Sequence, residues 1–249
     1  MTDETELPGQ VALLWGLRET VRRGRKPSLT VADIARAAVE VADAEGLAAV
    51  SMAKVAARLG NSTMALYRYV KSKDELLLLM SDEAMAERPD LPDGLDWRTA
   101  LTLWTQGLLA GLRRHPWTAQ IPISGPPVGP NNLWWFDRAL RALGDTGLDE
   151  GDKVGVVMGL ITFLHGRLRL GIELSAGYAE NPEAFGGQYG RALTRVADAH
   201  RYPALNKVIA AGVFEGDVGY DEEADGAFGL GLYLDGVAAF IERRTVGPE

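Results

Sequence analysis

The sequence predicts an all-α protein in two parts, a small helix-turn-helix bundle near the N-terminus and a larger helical body behind it. Three observations carry that expectation. Between Thr30 and Lys73, apolar residues recur at helical spacing in short runs bounded by capping residues and a glycine turn. Beyond Asp96 the helical period continues in longer stretches, and no segment alternates as a strand would. Charge divides the chain as well. Residues 18–73 hold 11 Lys/Arg against 5 Asp/Glu, a net of +6, whereas residues 1–17 carry −3 and residues 74–249 carry −11. A basic segment on an acidic body is the asymmetry expected when only one part meets phosphate.

Element by element, residues 1–28 read as an arm, with a short helix over Ala12–Leu17 and the basic run Arg22, Arg23, Arg25 and Lys26 broken by Gly24 and Pro27. Thr30 is placed to cap the first helix, with Asp33 three residues on to complete a capping box, and Gly46 ends it. Ser51 caps the second helix, which carries Met52, Val55, Ala56 and Leu59 on one face. Gly60-Asn61-Ser62 is a turn with a cap, leading into the short third helix Thr63–Val70. Ser72 caps a fourth helix running to about Glu87, with Glu75 as the partner of a Ser-x-x-Glu box. The stretch Arg88–Gly94, with two prolines and a glycine, breaks it, so residues 29–88 form the bundle and 89–249 the body. In the body, helices are predicted at about Asp96–Arg114, Asn131–Gly144, Glu150–Ser175, Pro182–Ala199, Pro203–Ala211 and Asp221–Arg244, with an irregular loop over Ile121–Pro130.

Composition excludes several chemistries. The chain has no cysteine, so disulfides and thiolate metal sites are absent, and its three histidines are far apart in sequence. No Gly-x-Ser-x-Gly, phosphate loop or His-Glu-x-x-His occurs, which argues against an enzyme and calls for no cofactor and no metal. The acidic start Met1–Glu6 lacks a signal pattern, and the longest apolar run, Val154–Leu164, is 11 residues; both predict a cytoplasmic protein without a membrane partner.

In a helix-turn-helix the second helix of the motif enters the major groove and phosphate contacts fix its register. Here Thr63, Met64, Tyr67 and Arg68 project from the side opposite Leu66 and Val70. Arg68 is suited to guanine or to phosphate, Thr63 and Met64 to base edges or a thymine methyl, and Tyr67, Tyr69 and Lys73 to phosphate. Ser51 can offer its hydroxyl and backbone N–H to a phosphate with Lys54 one turn on, and the arm's Arg22, Arg23, Arg25 and Lys26 can track the backbone or the minor groove. The alternatives are that Tyr69 and Met64 are packing residues and that the arginine run only solubilises a tail.

The run Ser51–Gly60, then Met64-Ala65-Leu66-Tyr67-Arg68-Tyr69-Val70 and Lys71-Ser72-Lys73-Asp74-Glu75-Leu76-Leu77, resembles the DNA-binding domain of the TetR family of bacterial repressors. Its Leu-Tyr-x-x-Val-x-x-Lys-x-x-Leu pattern is complete. The body is more loosely similar to the tetracycline-repressor branch, through Trp97 opening a helix and the long helix from Glu150. The resemblance implies a homodimeric repressor that sets its third helix in successive major grooves of a near-palindromic operator and answers to a small effector. Ser51, Tyr67, Tyr69 and Lys73 would then meet phosphates, and Thr63, Met64 and Arg68 would face bases. Where the tetracycline repressors place a base-reading arginine early in the second helix, this chain has Ala53.

Two apolar faces of the body suit dimerisation: Ala227, Leu230, Leu234, Val237, Ala238 and Ile241 with Gly229, Gly231 and Gly236 nearby, and Val157, Leu160, Ile161, Leu164, Leu168 and Ile172. By resemblance, the helices near 150–175 and 221–244 form a four-helix interface; the alternative is that either face packs within its own subunit. A second stripe, Met158, Thr162, His165 and Arg169, puts polar groups on an apolar helix, where they need partners or a cavity. With Trp104, Leu108, Trp117, Trp134, Trp135 and Phe136 it suggests an aromatic-walled effector site, unless the aromatics are core and Arg169 pairs with Glu173. A regulator without a small ligand is the competing function.

Overall fold

The computed structural model describes residues 7–18, 29–122, 126–182, 185–215 and 222–245, and every regular element among them is helical. A short helix α1 (Gly9–Leu14) precedes the bundle of α2 (Val31–Glu45), α3 (Met52–Arg58), α4 (Thr63–Leu66) and α5 (Lys73–Glu83). The body comprises α6 (Trp97–Arg114), α7 (Pro130–Ala142), α8 (Glu150–Glu180), α9 (Gly186–Val196), α10 (Pro203–Ala210) and α11 (Glu222–Thr245). Two 3-10 turns, Leu47–Ala49 and Pro116–Gln120, were not expected from the sequence. The basic run Arg22, Arg23, Arg25 and Lys26 lies outside the described residues.

Capping residues set the helix starts. Thr30 and Asp33 form a full reciprocal box, Oγ1 accepting from the Asp33 N–H at 3.1 Å and the carboxylate accepting from the Thr30 N–H at 3.0 Å. Ser51, Ser62 and Ser72 each accept from the backbone three residues on. The expected box at Ser72 is only half made. Glu75 instead accepts from the Lys71 N–H at 2.7 Å, because Arg18 draws its carboxylate away with bonds of 2.7 and 2.9 Å. Glycines at positive φ follow α1, α2, α3 and α10, whereas proline bounds two of the helices whose ends differ from expectation. α5 stops at Glu83, short of the expected Glu87, as Met85 and Ala86 tighten to three-residue bonds ahead of Pro89. α8 runs past Ser175 through Gly177 to Glu180 and ends only before Asn181-Pro182.

Two compact units result: residues up to His165 together with those from Ile241 onward, and Gly166–Phe240. In the first, the bundle closes over Ile34, Ala38, Val55, Leu66, Val70, Leu76 and Met80, all without solvent contact, joined by Leu13 of α1 and by Trp117. Each of the larger side chains contributes about 1.5–3 kcal/mol by leaving water. α6 buries a single stripe, Leu101, Trp104, Thr105, Leu108 and Leu112, and Trp104 meets Trp135 of α7 edge-on at 6.1 Å between ring centroids. The bundle and α7 are joined through Asp82, whose buried carboxylate accepts from Asn131 N–H at 3.3 Å and from Asn132 N–H and Nδ2 at 2.9 Å. A carboxylate of α5 thus caps the positive end of α7. Gly129 permits that approach, since a Cβ there would stand 2.1 Å from Asp82 Oδ1. In the second unit, Tyr178 packs on Phe185 at 5.7 Å and Tyr189 on Phe214 at 5.4 Å between centroids.

The long helix α8 corrects two expectations. Val157, Leu160, Leu164 and Leu168, assigned from sequence to a partner-facing surface, are buried within the chain. Conversely, Met158, Thr162 and Arg169 of the stripe assigned to an effector are exposed, with Val154 and Leu170 beside them. The chain's own packing claims the more apolar face first. The 11-residue apolar run also understates the helix, which by length and composition alone could cross a bilayer, with a third of its most apolar stretch buried.

Candidate nucleic-acid interface

The glycine turn positions α4, the helix expected from sequence to read DNA. Leu59 ends α3, Gly60 takes φ +63°, where only glycine is unstrained, and Asn61 returns its N–H to Ala56 O at 2.9 Å and its Nδ2 to Leu59 O at 2.8 Å. Ser62 then caps α4, whose backbone continues in helical turns through Tyr69. Leu66 and Val70 point into the core and anchor this short element. With that side fixed, Met64 is 73% exposed, Tyr67 41%, and Arg68 exposed beside them, while Thr63 is half-buried. Lys73 and the cap Ser51 are also exposed. Tyr69 departs from the others by packing against the bundle core while keeping part of its surface.

Basic groups around this face are held by acidic neighbours. Lys54 is ion-paired with Glu45, and Arg58 with Glu40 at 2.7 Å, so the α3 cations lie in local pairs with α2. Both are exposed pairs, readily exchanged for a phosphate. Lys71, not anticipated from sequence, donates through Nζ to the carbonyls of Tyr67 at 3.0 Å and Arg68 at 3.2 Å. It thereby neutralises the negative end of the helical turns that begin at α4. A lysine directly after a short helix is the local signal that identifies such a cap. Arg18 gave no local signal, because its partner Glu75 is 57 residues away. Hydrogen bonding from Arg18, reinforced by Lys71 N–H, holds the Glu75 carboxyl below its ordinary range, and the same bond raises Arg18. Burial pushes Glu83 up, opposed by Arg36 at 3.8 Å.

The residues assigned to an effector fall into three environments. Trp104, Leu108 and Trp135 are buried between α6 and α7, with Trp104 Nε1 donating to Trp135 O at 2.8 Å and Trp135 Nε1 to Met85 O at 3.0 Å. Trp134 and Phe136 are half-buried, and Arg88 lies 5.1 Å from the centre of the Trp134 ring. Trp117 sits apart from these, in the core of the bundle, donating to Asp43 at 2.7 Å beside His115, which meets the same oxygen at 2.8 Å. On α8, Thr162 bonds Met158 O at 2.8 Å, half-buried His165 contacts Ile161 O at 3.0 Å, and Arg169 pairs with Glu173 at 2.9 Å. Helix-local partners satisfy all three polar groups.

Comparison with known proteins matches both parts. Residues 34–80 fit the sequence profile of bacterial regulatory proteins of the tetR family, and residues 88–241 that of the tetracyclin repressor-like C-terminal domain. The chain is 36% identical to the HTH-type transcriptional repressor DrrR1 of Streptomyces coeruleorubidus, across 97% of this chain and 90% of that one. It is 29% identical to the class A tetracycline repressor protein from transposon 1721 of Escherichia coli, across 86% and 94% respectively. Among solved structures, apo ActR of Streptomyces coelicolor superposes with a TM-score of 0.69 at 25% identity, covering 88% of this chain and 99% of ActR. ActR in complex with (S)-DNPA gives 0.68 at 25% identity, with 86% and 99% coverage.

Proposed function

The chain belongs to the TetR family of bacterial transcriptional regulators, which are DNA-binding proteins and not enzymes, and from that premise we propose a homodimeric cytoplasmic repressor of a near-palindromic operator. A small, largely apolar or aromatic effector releases it. One observation carries the reading: Leu66 and Val70 are buried, and the same short helix leaves Met64, Tyr67 and Arg68 exposed. An apolar methionine and an aromatic ring kept in water, next to a cation, suit a surface that is completed by a groove. Thr63, Met64 and Arg68 face base edges; Ser51, Tyr67, Tyr69 and Lys73 meet phosphates. Lys54 joins them by leaving Glu45, and the basic run Arg22–Lys26 adds backbone contacts.

Residues 29–88 form the reading domain and 89–249 the effector and dimerisation domain. Dimerisation uses the exposed sides of α8 and α11. Val154 and Met158 support this on α8, and Phe228 and Leu232, 70% and 58% exposed, support it on α11. A Cβ on Gly155, Gly231 or Gly236 would meet nothing, consistent with space for a second helix. A partner there would also cover the apolar surface that gives α8 its membrane-like composition.

Effector binding is assigned to the α6–α7 interior at Trp104, Leu108, Trp134, Trp135 and Phe136; the exposed Met158, Thr162 and Arg169 of α8 are left out of it. Thr105, buried on the same α6 stripe without a hydrogen-bond partner, supports it by offering an unsatisfied hydroxyl. The second reading is a regulator with no small ligand: the cavity touching Trp104, about 80 Å³, is walled by residues 91–95 and Arg138 instead of Leu108, Trp134, Trp135 or Phe136, and ligand sites usually enclose ~300 Å³ or more. For the first reading to hold, the effector must select an opened interior and shift the population toward it. The separating experiment titrates aromatic and aliphatic compounds against the protein bound to a selected operator. Release of DNA together with a rise in melting temperature supports the effector; a panel that produces neither supports the ligand-free regulator.

A further inference from the structure

Helix α1 is bound to the reading head by a continuous chain of contacts. Leu13 is buried in the bundle core at 1% exposure, and Trp15 Nε1 donates to Val128 O at 2.9 Å, ahead of α7. Arg18, directly after them, is doubly engaged. Its guanidinium donates to Glu75 through Nη2 at 2.7 Å and Nη1 at 2.9 Å, and its Nε and Nη2 also donate to Gly9 O, closing α1 on itself. Glu75 passes the constraint on by accepting from the Lys71 N–H at 2.7 Å. Lys71 in turn holds the Tyr67 and Arg68 carbonyls at the end of the reading helix.

We propose that Arg18 is a positioning residue for DNA reading, bracing the C-terminal end of the reading helix through Glu75 and Lys71. The inference rests on α4 being the element that reads DNA. Two physical points distinguish this contact from an ordinary surface pair. The bond is bidentate and partly shielded, with side-chain exposures of 28% for Arg18 and 16% for Glu75, so salt and water compete with it poorly. The reading helix itself is a four-residue turn, too short to hold its own direction, so outside contacts must orient it. Trp15 and Leu13 fix the near end of the brace to the rest of the unit. Arg18 is occupied by Glu75 and Gly9 and does not count among the groups that meet phosphate.

The test uses the full chain with two probes, a duplex carrying the half-sites recovered by binding selection and a random-sequence duplex. Arg18→Ala, Glu75→Gln and the double variant are titrated by fluorescence anisotropy over a range of salt. The expected result is a loss of about five- to thirtyfold in affinity for the selected duplex in each single variant, from removing one charge-assisted contact. The double variant should lose no more than either single one, because both remove the same brace. Affinity for random DNA and the slope of log affinity against log salt should not change, since no phosphate contact is removed. Arg18→Lys, which keeps the charge but not the fork, should recover part of the loss. Unchanged selected-duplex affinity in Arg18→Ala overturns the proposal. So does a fall in salt slope with equal loss on both duplexes, which would make Arg18 a phosphate ligand. If Arg18→Ala fails to fold, as read by its melting curve, Glu75→Gln and Arg18→Lys decide by the same criteria. Failure of the unaltered protein to prefer the selected duplex would instead count against α4 as the reading element.

Discussion

A single carboxylate, Glu75, accepts from the guanidinium of Arg18 and from the Lys71 backbone, and its carboxyl is held below the ordinary range by those bonds. Its folded-state affinity for protons is lower than in the unfolded chain, where a glutamate titrates near ~4.3. The stability it contributes is present above that value and disappears as pH falls through the depressed folded value. Asp33, lowered by the Thr30 hydroxyl and backbone N–H, acts with the same sign. Glu83, raised by burial, acts with the opposite sign and relieves a cost when it protonates. The melting temperature should therefore fall as pH drops from about 5 toward 3, and Glu75→Gln should flatten part of that fall. Superimposable pH curves for the two proteins would show that the Arg18–Glu75 bond contributes no stability. At the reading face, Tyr67→Ala should weaken operator binding about tenfold or more while sedimentation still reports a dimer, consistent with removal of one groove or phosphate interaction. Retained affinity in a gel-shift titration would remove Tyr67 from the interface.

Among the elements, those set by local chemistry were readable in the sequence, and those set by distant contacts were not. Thr30, Ser51, Ser62 and Ser72 announce their helices because a hydroxyl needs only the next turn to find its partner. The half-made box at Ser72 escaped the same logic because Arg18 competes for Glu75 from across the bundle. Periodicity likewise found α8 but assigned its faces in the wrong order, since spacing identifies an apolar stripe without saying whether the chain or a partner covers it. The six tryptophans were equally ambiguous: Trp104 and Trp135 pair between α6 and α7, while Trp117 joins the bundle core through Asp43. No sequence signal marked the joint between α5 and α7. Gly129→Ala tests it, because the added methyl would collide with the buried Asp82 carboxylate. The variant should lose about 2–4 kcal/mol of stability. An unchanged denaturation midpoint would mean that the α7 cap is dispensable.

For the whole molecule, charge separation organises function. The net +6 of residues 18–73 is followed by an acidic remainder of −11 over residues 74–249, so the charge that favours DNA is concentrated in one segment of the chain. Part of that positive charge is already engaged in pairs such as Lys54–Glu45 and Arg58–Glu40, which makes the arm the larger source of charge for DNA. Replacing Arg22, Arg23, Arg25 and Lys26 with alanine should reduce operator affinity and lower the salt slope by about 0.9 for each phosphate that is no longer neutralised. An unchanged slope would leave the arm idle. That a dimer reads two half-sites through α4 is tested most directly by binding selection from random duplex DNA with the full chain. The expected outcome is enrichment of an inverted repeat whose half-sites are spaced for two reading helices on successive major grooves, about one helical turn or more apart. Recovery of a single unrepeated site, or of no sequence preference at all, would contradict it.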